Sequence, residues 1–340
     1  MLRCVKPFLY DDGSDSTEVT LELCSSFIDK YGNTIDENEF VEIENEYKQL
    51  LYGANTMIKE TDLFVQNGVH DYEGYFQYMQ NAIQGYDGYD YNTYAQMREL
   101  IIQATGKSSM YIEIYEDFMQ QYKSADTGRT SILPFEILAY ANDYFVSVII
   151  WCLLCAFLIA APVMVNDRAN HVVANQYSSK KGKKIHRTQY LCMMLSVLII
   201  VSIIMLISML IWKTTGTLQY ANSEISSFLN SETSVLPLTY GRFILYFIII
   251  AYLLTLGIAN IVFFLSSKSV NAINMLIKAI PVLIAGCFLG LFMNGLLCES
   301  NSIYKLFHIA GGELIIVLVI FVTGIFLNVK NYRTLLKKDY

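Results

Sequence analysis

Five apolar runs in the second half of the chain restrict its fold more than any other feature: Tyr144–Val165, Tyr190–Trp212, Phe243–Leu265, Ala279–Leu297 and Ile309–Val329. Each is about 20 residues long, the length an α-helix needs to cross a hydrocarbon core roughly 30 Å thick. The third, FILYFIIIAYLLTLGIANIVFFL, carries no charge. Helices of soluble domains keep one face polar, so a run that is apolar all round reads as a membrane span. The expected fold is an all-α membrane protein with five visible spans.

The loops set a direction. If the first run exits into the cytoplasm, segments 166–188, 266–278 and 330–340 hold twelve basic residues, and the opposite side of the membrane half holds three, Lys213, Arg242 and Lys305. Basic residues in short loops stay inside, where they meet anionic lipid and avoid translocation. This predicts a plasma-membrane protein with a cytoplasmic C-terminus, an extracytoplasmic helical domain over 1–143 and a transmembrane domain over 144–340. Charge divides along the same line. Residues 1–143 carry nine Lys and Arg against 25 Asp and Glu, whereas 144–340 carry 15 against six. The acidic balance thus belongs to the exposed domain, and no extended basic surface exists for nucleic acid.

An exterior domain needs a carrier, yet residues 1–30 are interrupted by charge every few positions and contain no apolar signal run. The expectation is a further apolar helix upstream of Met1, making six in the full protein. Of the seven cysteines, Cys152, Cys155, Cys192 and Cys287 fall inside apolar runs and read as small hydrophobes. Cys4 and Cys24 are a possible exterior disulfide, leaving Cys298 over.

Within the acidic domain, Phe40, Ile43, Tyr47, Leu50, Ala54, Met57, Thr61 and Phe64 recur at alternating spacings of three and four. They predict one helix over 36–65, with Asp36 as N-cap and Glu39 closing a capping box. Its apolar seam calls for partner helices near Asn92–Thr105 and Ser108–Lys123; a stalk that contacts cargo is the other reading. Seven tyrosines (72, 75, 78, 86, 89, 91 and 94) crowd the stretch between. They suit either a peptide- or glycan-binding surface or a helix-and-turn segment with partly buried rings, with Gly74, Gly85 and Gly88 as turn formers. Asp87, Asp90 and Asn92 are spaced loosely like calcium ligands but lack the closing Glu of an EF-hand. No metal site, cofactor site or catalytic constellation emerges. His70, His171, His186 and His308 are scattered, and no Gly-x-Ser-x-Gly, HExxH or phosphate-cradling loop is present.

Loop 166–188 opens with a stretch able to form a short helix along the inner interface, then turns at Gly182 inside a lysine cluster. Its charge suits a topology anchor, a patch for anionic headgroups or a docking knob for a cytoplasmic protein. The run Gln176-Tyr177-Ser178-Ser179-Lys180-Lys181-Gly182-Lys183-Lys184-Ile185, with Gln189 beyond it, resembles the qYSSkkGrk segment of type-2 ABC exporter permeases of low-GC Gram-positive bacteria. Thr130-Ser131-Ile132-Leu133-Pro134 and the inner turn Ser266-Ser267-Lys268-Ser269 are similar too, as is the plan of a large exterior domain followed by five helices. The resemblance implies a permease subunit without its own ATPase site. Its partners would be a separate ATP-binding subunit, a second permease subunit of the same or a related kind, and membrane lipids. ATPase coupling would then fall to Asp167, Arg168, His171, Tyr177, Ser178, Ser179, Lys180, Lys181, Gly182, Lys183 and Lys184. The chain departs from the family in lacking the first helix.

Polar residues inside the runs are few. Asn260, Asn294 and Glu313 are candidates for lining a pathway, against interhelical hydrogen bonding for the two asparagines and snorkelling to water for Glu313. Pro281, Gly286 and Gly290 mark the fourth run as kinkable and closely packed. The expected function is the membrane subunit of an ATP-driven exporter for a peptide, lipid-like compound or drug. The alternatives are a membrane-anchored extracellular ligand sensor or bacteriocin-immunity protein, and a four-helix mechanotransmission permease, which five visible runs disfavour.

Overall fold

The structure, a computed structural model, describes residues 16–107, 109–125, 129–169, 182–229, 238–292 and 312–337. The described residues are helical throughout, apart from turns and two isolated β-bridges. They form two compact units: residues 1–136 with Ser226–Ser231, and residues 137–225 with 232–340.

The first unit contains α1 (Ser16–Tyr31), α2 (Glu37–Glu60), α3 (Asp62–Gln66), α4 (Tyr72–Gln84), α5 (Tyr91–Thr105) and α6 (Ser109–Ser124). The capping box forms as the sequence predicts. Glu39 N donates to Asp36 Oδ1 at 2.8 Å and Asp36 N to Glu39 Oε2 at 2.8 Å, satisfying two backbone donors at the helix start. Phe40, Ile43 and Ala54 of the seam are buried, with Tyr47, Leu50 and Met57 partly so, and α2 packs against α5 and α6. The predicted single helix is nevertheless broken. Thr61 adopts φ −113°, ψ 120°, so the chain turns there into α3, and Phe64 enters the core from a separate helix.

The tyrosine stretch divides in two. Tyr72, Tyr75, Tyr78 and Tyr94 are buried in one core with Ile58, Phe64, Met97 and Ile101, whereas Tyr86, Tyr89 and Tyr91 are exposed. Four of the seven rings therefore belong to the core, in keeping with the helix-and-turn alternative. Gly85 (φ 71°) and Gly88 (φ 93°) do make turns that a side chain would strain. Gly74 instead lies in the first turn of α4, donating from N to Asp71 Oδ1 at 2.8 Å. Asp90, read as a loose calcium ligand, caps α5 by accepting from Thr93 N and Thr93 Oγ1, both at 2.9 Å. Those bonds hold its carboxyl below the usual range. Cys24 is a buried thiol; its candidate partner Cys4, like Cys298, lies outside the described residues.

The TSILP segment is seated rather than loose. Thr34 and Ser131 form a β-bridge, Ile35 N donates to Thr130 O at 2.8 Å, and Ile132 N donates to Asn33 O at 3.0 Å. Ser227 Oγ donates to Ser131 O at 2.6 Å and accepts from Leu133 N at 3.0 Å, while Phe228 packs edge-on against Phe118 and Tyr122.

The second unit contains most of α7 (Phe135–Ala160), then α8 (Pro162–Ala169), α9 (Gly182–Lys213), a 3-10 turn (Thr217–Tyr220), α10 (Tyr240–Lys268), α11 (Ala272–Phe292) and α12 (Gly312–Lys337). Helices α7 and α9–α12 are long and apolar enough to cross a membrane. Helix α10 is central, packing against α8, α9, α11 and α12, which accounts for the lack of charge in its Phe243–Leu265 run. The outer faces of α9, α11 and α12 expose rows of apolar side chains such as Leu195, Ile199, Leu206, Ile277, Ile284, Val319 and Phe326. An arrangement that leaves whole apolar faces uncovered suits lipid as the solvent.

Several helices extend beyond their apolar runs, α7 and α11 among them. Helix α7 begins nine residues before Tyr144, because polar and acidic residues such as Asn142 and Asp143 continue the helix outside the apolar run. Helix α11 begins seven residues before Ala279, where Asn271 Oδ1 accepts from Asn274 N at 2.9 Å and caps it. Lys278 thus projects from within the span, exposed, instead of ending the loop. Pro281 sits inside α11 without ending it. The expected close packing is present: a Cβ at Gly286 would meet Ile258 Cγ1 at 3.1 Å, and one at Gly290 would meet Ile149 Cγ2 at 3.3 Å.

Candidate functional site

Two features stand out in the second unit: the flanks of the basic loop, and a polar seam inside the helix bundle. Helix α8 follows α7 after Ala161 and carries Asp167 and Arg168 toward the loop. Ser266 Oγ of α10 donates to Ala161 O at 2.7 Å, anchoring the α7–α8 corner. Across the loop, Gln189 Nε2 of α9 donates to the Asp167 carboxylate. Both ends of the basic segment are thereby fixed to each other and to the bundle.

Helix α9 starts at Gly182, with Lys183, Lys184 and Arg187 in its first turns; the Lys184 and Arg187 side chains are exposed. Cations at the positive end of a helix dipole are unfavourable, by about 0.3–1 kcal/mol each where exposed. Helix stability therefore does not explain them, and anionic headgroups or an acidic docking surface would offset the cost. His186, in the same turn, is buried. Its ring lies 5.6 Å from that of Phe263 and stacks on Tyr332 at 6.2 Å. One histidine thus serves packing while its basic neighbours face outward. His171, Tyr177, Ser178, Ser179, Lys180 and Lys181 lie outside the described residues.

The seam centres on Asn260, which is fully buried. Its Oδ1 accepts from Tyr190 Oη of α9 at 2.7 Å, its Nδ2 donates to Leu256 O at 2.7 Å, and its carbonyl accepts from Asn328 Nδ2 of α12 at 2.8 Å. Asn328 also donates to Gly324 O at 2.9 Å. Farther along the α10–α12 contact, Asn331 Nδ2 donates to Ser267 Oγ at 2.9 Å. Gly257 and Gly324 allow this approach: a Cβ at Gly324 would fall 2.6 Å from Asn260 Cβ and 3.0 Å from Gly257 O. Asn260 is therefore committed to interhelical hydrogen bonds among α9, α10 and α12, the reading favoured for polar groups in a span. Sequence alone does not single out its partners Tyr190 and Asn328, or Asn331 farther along the contact. The available signal was a pair of asparagines three apart near the end of the last apolar run, with Gly324 one turn before Asn328.

Glu313 differs from its expectation. It is fully buried at the second position of α12 rather than reaching water. The positive helix end beside it favours a carboxylate there, and Tyr246 of α10 is within its electrostatic reach. Asn294 lies outside the described residues.

Among the described residues no three His, Cys, Asp or Glu side chains converge as metal ligands. Compared with protein-family models, with characterised proteins and with solved structures, the chain matches none.

Proposed function

We propose that this chain is the permease subunit of an ATP-binding-cassette exporter, with residues 1–143 extracytoplasmic and the C-terminus cytoplasmic. ATP hydrolysis resides in a separate subunit that docks on loop 166–188, and a second permease subunit completes the pathway. The observation that carries the reading is the lysine-rich Tyr177–Lys184 segment, whose flanks Asp167 and Gln189 are tied together. A loop with fixed ends transmits a push from a docked protein into α8 and α9 better than a slack one. The twelve-to-three distribution of basic residues supports the sidedness this docking requires.

The test is retention of an ATPase during purification of the tagged chain from its native membrane. The reading expects an ATP-hydrolysing subunit with the intact loop and its loss when Lys180, Lys181, Lys183 and Lys184 are all changed to Ala. Equal ATPase recovery with both chains, or none with either, contradicts it.

A further inference from the structure

We propose that the cleft walled by α2, α4 and α6 of the first unit binds an organic cation: an amine or guanidinium on an apolar body, such as the basic side chain of a short peptide. The cleft holds about 450 Å³, within the range of small-ligand sites, roughly 300–1,000 Å³. Two independent features of its wall select the same chemistry. Tyr47, Tyr72 and Phe76 present rings, whose negative faces attract cations. Asp71, Glu73, Glu113, Glu116 and Asp117 supply five carboxylates, and no Lys or Arg lines the cleft.

The unit does not lack lysines; it places them elsewhere. Lys30 bridges Glu42 at 2.8 Å and Glu46 at 2.6 Å, and Lys123 and Lys48 both pair with Glu44, at 2.8 and 3.2 Å. Some of the cleft's acids have local work as well. Asp71 caps α4, and Glu116 Oε1 accepts from Gln120 Nε2 at 3.3 Å. Glu73 and Asp117 extend the acidic wall beyond those bonds. Desolvation lifts the Asp117 carboxyl above the usual range, a cost that an incoming cation reverses. Burial, together with the charge of Glu116 for Tyr47 and of Glu113 for Tyr72, raises both phenols. At neutral pH they therefore offer uncharged π faces, not competing anions. The preference for an organic over an inorganic cation follows from the rings, which contribute nothing to a hydrated metal ion.

This inference stands apart from the exporter reading, since a sensor would use the cleft equally well. The test is calorimetric titration of the full chain in detergent with N-acetyl-phenylalanyl-arginine amide, against the neutral isostere N-acetyl-phenylalanyl-citrulline amide. The arginine peptide is expected to bind at least ten times more tightly, with the difference narrowing in 0.5 M NaCl. A Glu73→Gln, Asp117→Asn chain should lose at least tenfold in affinity. Because these changes relieve like-charge repulsion, its unfolding temperature should be unchanged or higher. Phe76→Ala should weaken binding by about three- to tenfold while keeping the charge preference. Equal binding of the two peptides, undiminished affinity in the double variant, or displacement of the peptide by 1 mM Ca²⁺ would each overturn the proposal.

Discussion

Gly324→Ala is the most informative single perturbation of the helix bundle. An alanine Cβ at this site would lie 2.6 Å from Asn260 Cβ and 3.0 Å from Gly257 O. Carbon atoms pack comfortably at about 3.5–4.0 Å, so α12 must retreat from α10 by about 1 Å. The contacting atoms are a Cβ and a backbone oxygen, neither able to swing aside. Retreat also stretches the 2.8 Å bond from Asn328 Nδ2 to Asn260 O. Overpacking of this kind costs about 3 kcal/mol, and at about 2–4 °C per kcal/mol the unfolding temperature should fall by about 6–12 °C. Thermal unfolding of the purified chain in detergent, followed by circular dichroism, reads this directly. Two neighbours calibrate it. Gly257→Ala would meet the Phe321 backbone N at 3.1 Å and should cost less. Gly286→Ala would meet side-chain atoms alone, Ile258 at 3.1–3.2 Å and Leu153 Cδ1 at 3.7 Å, and should cost below about 1 kcal/mol. The reasoning fails if Gly324→Ala leaves the transition within 1 °C, or if the order of the three is reversed.

Other expectations follow from the same physical arguments. Tyr190→Phe removes the 2.7 Å bond to Asn260 Oδ1 and should cost about 0.6–1.7 kcal/mol; a double-mutant cycle with Asn260→Ala should return a coupling of similar size, and additivity would refute the contact. Asp36→Ala deletes the α2 capping box and should destabilise the first unit by about 1 kcal/mol, seen as earlier loss of helicity in urea. Burial, with the charge of Glu136, pushes the Cys24 thiol pKa up. The unfolded thiol ionises near 8.5 while the folded one stays neutral, so this group's stabilisation is complete below that pH and is lost as pH rises above it. Stability from pH 8.5 to 10 should therefore decline less steeply in Cys24→Ala than in the parent, and parallel declines would contradict the assignment.

Hydropathy made the five long helices legible because length and uniform apolarity leave few other folds for such runs. It places the start of α11 too late because Lys278 reads as the end of a loop, although a lysine stem can emerge from within a span and reach the interface. The capping box was readable since donor and acceptor lie three residues apart. The break at Thr61 was not, because the heptad spacing continues through it and only tertiary packing of Phe64 requires the turn. Tyrosine defeats a sequence reading for a related reason. Its ring suits a core and its hydroxyl suits a surface, and here Tyr75 and Tyr94 took the first role while Tyr86 and Tyr91 took the second. Asn260 was noticeable as a polar residue in an apolar run, but its partners come from helices far apart in sequence. The cleft of the first unit draws on three helices and was equally invisible along the chain.

Sidedness supports the whole functional account, and substituted-cysteine labelling measures it. With the seven native cysteines replaced by Ser, a single cysteine at Lys181 and another at Tyr52, an exposed position on α2, are each treated on intact cells with a membrane-impermeant maleimide. The account predicts that the cysteine at 52 is labelled on intact cells and the one at 181 only after lysis. Labelling at 181 on intact cells, with 52 protected until lysis, would contradict it.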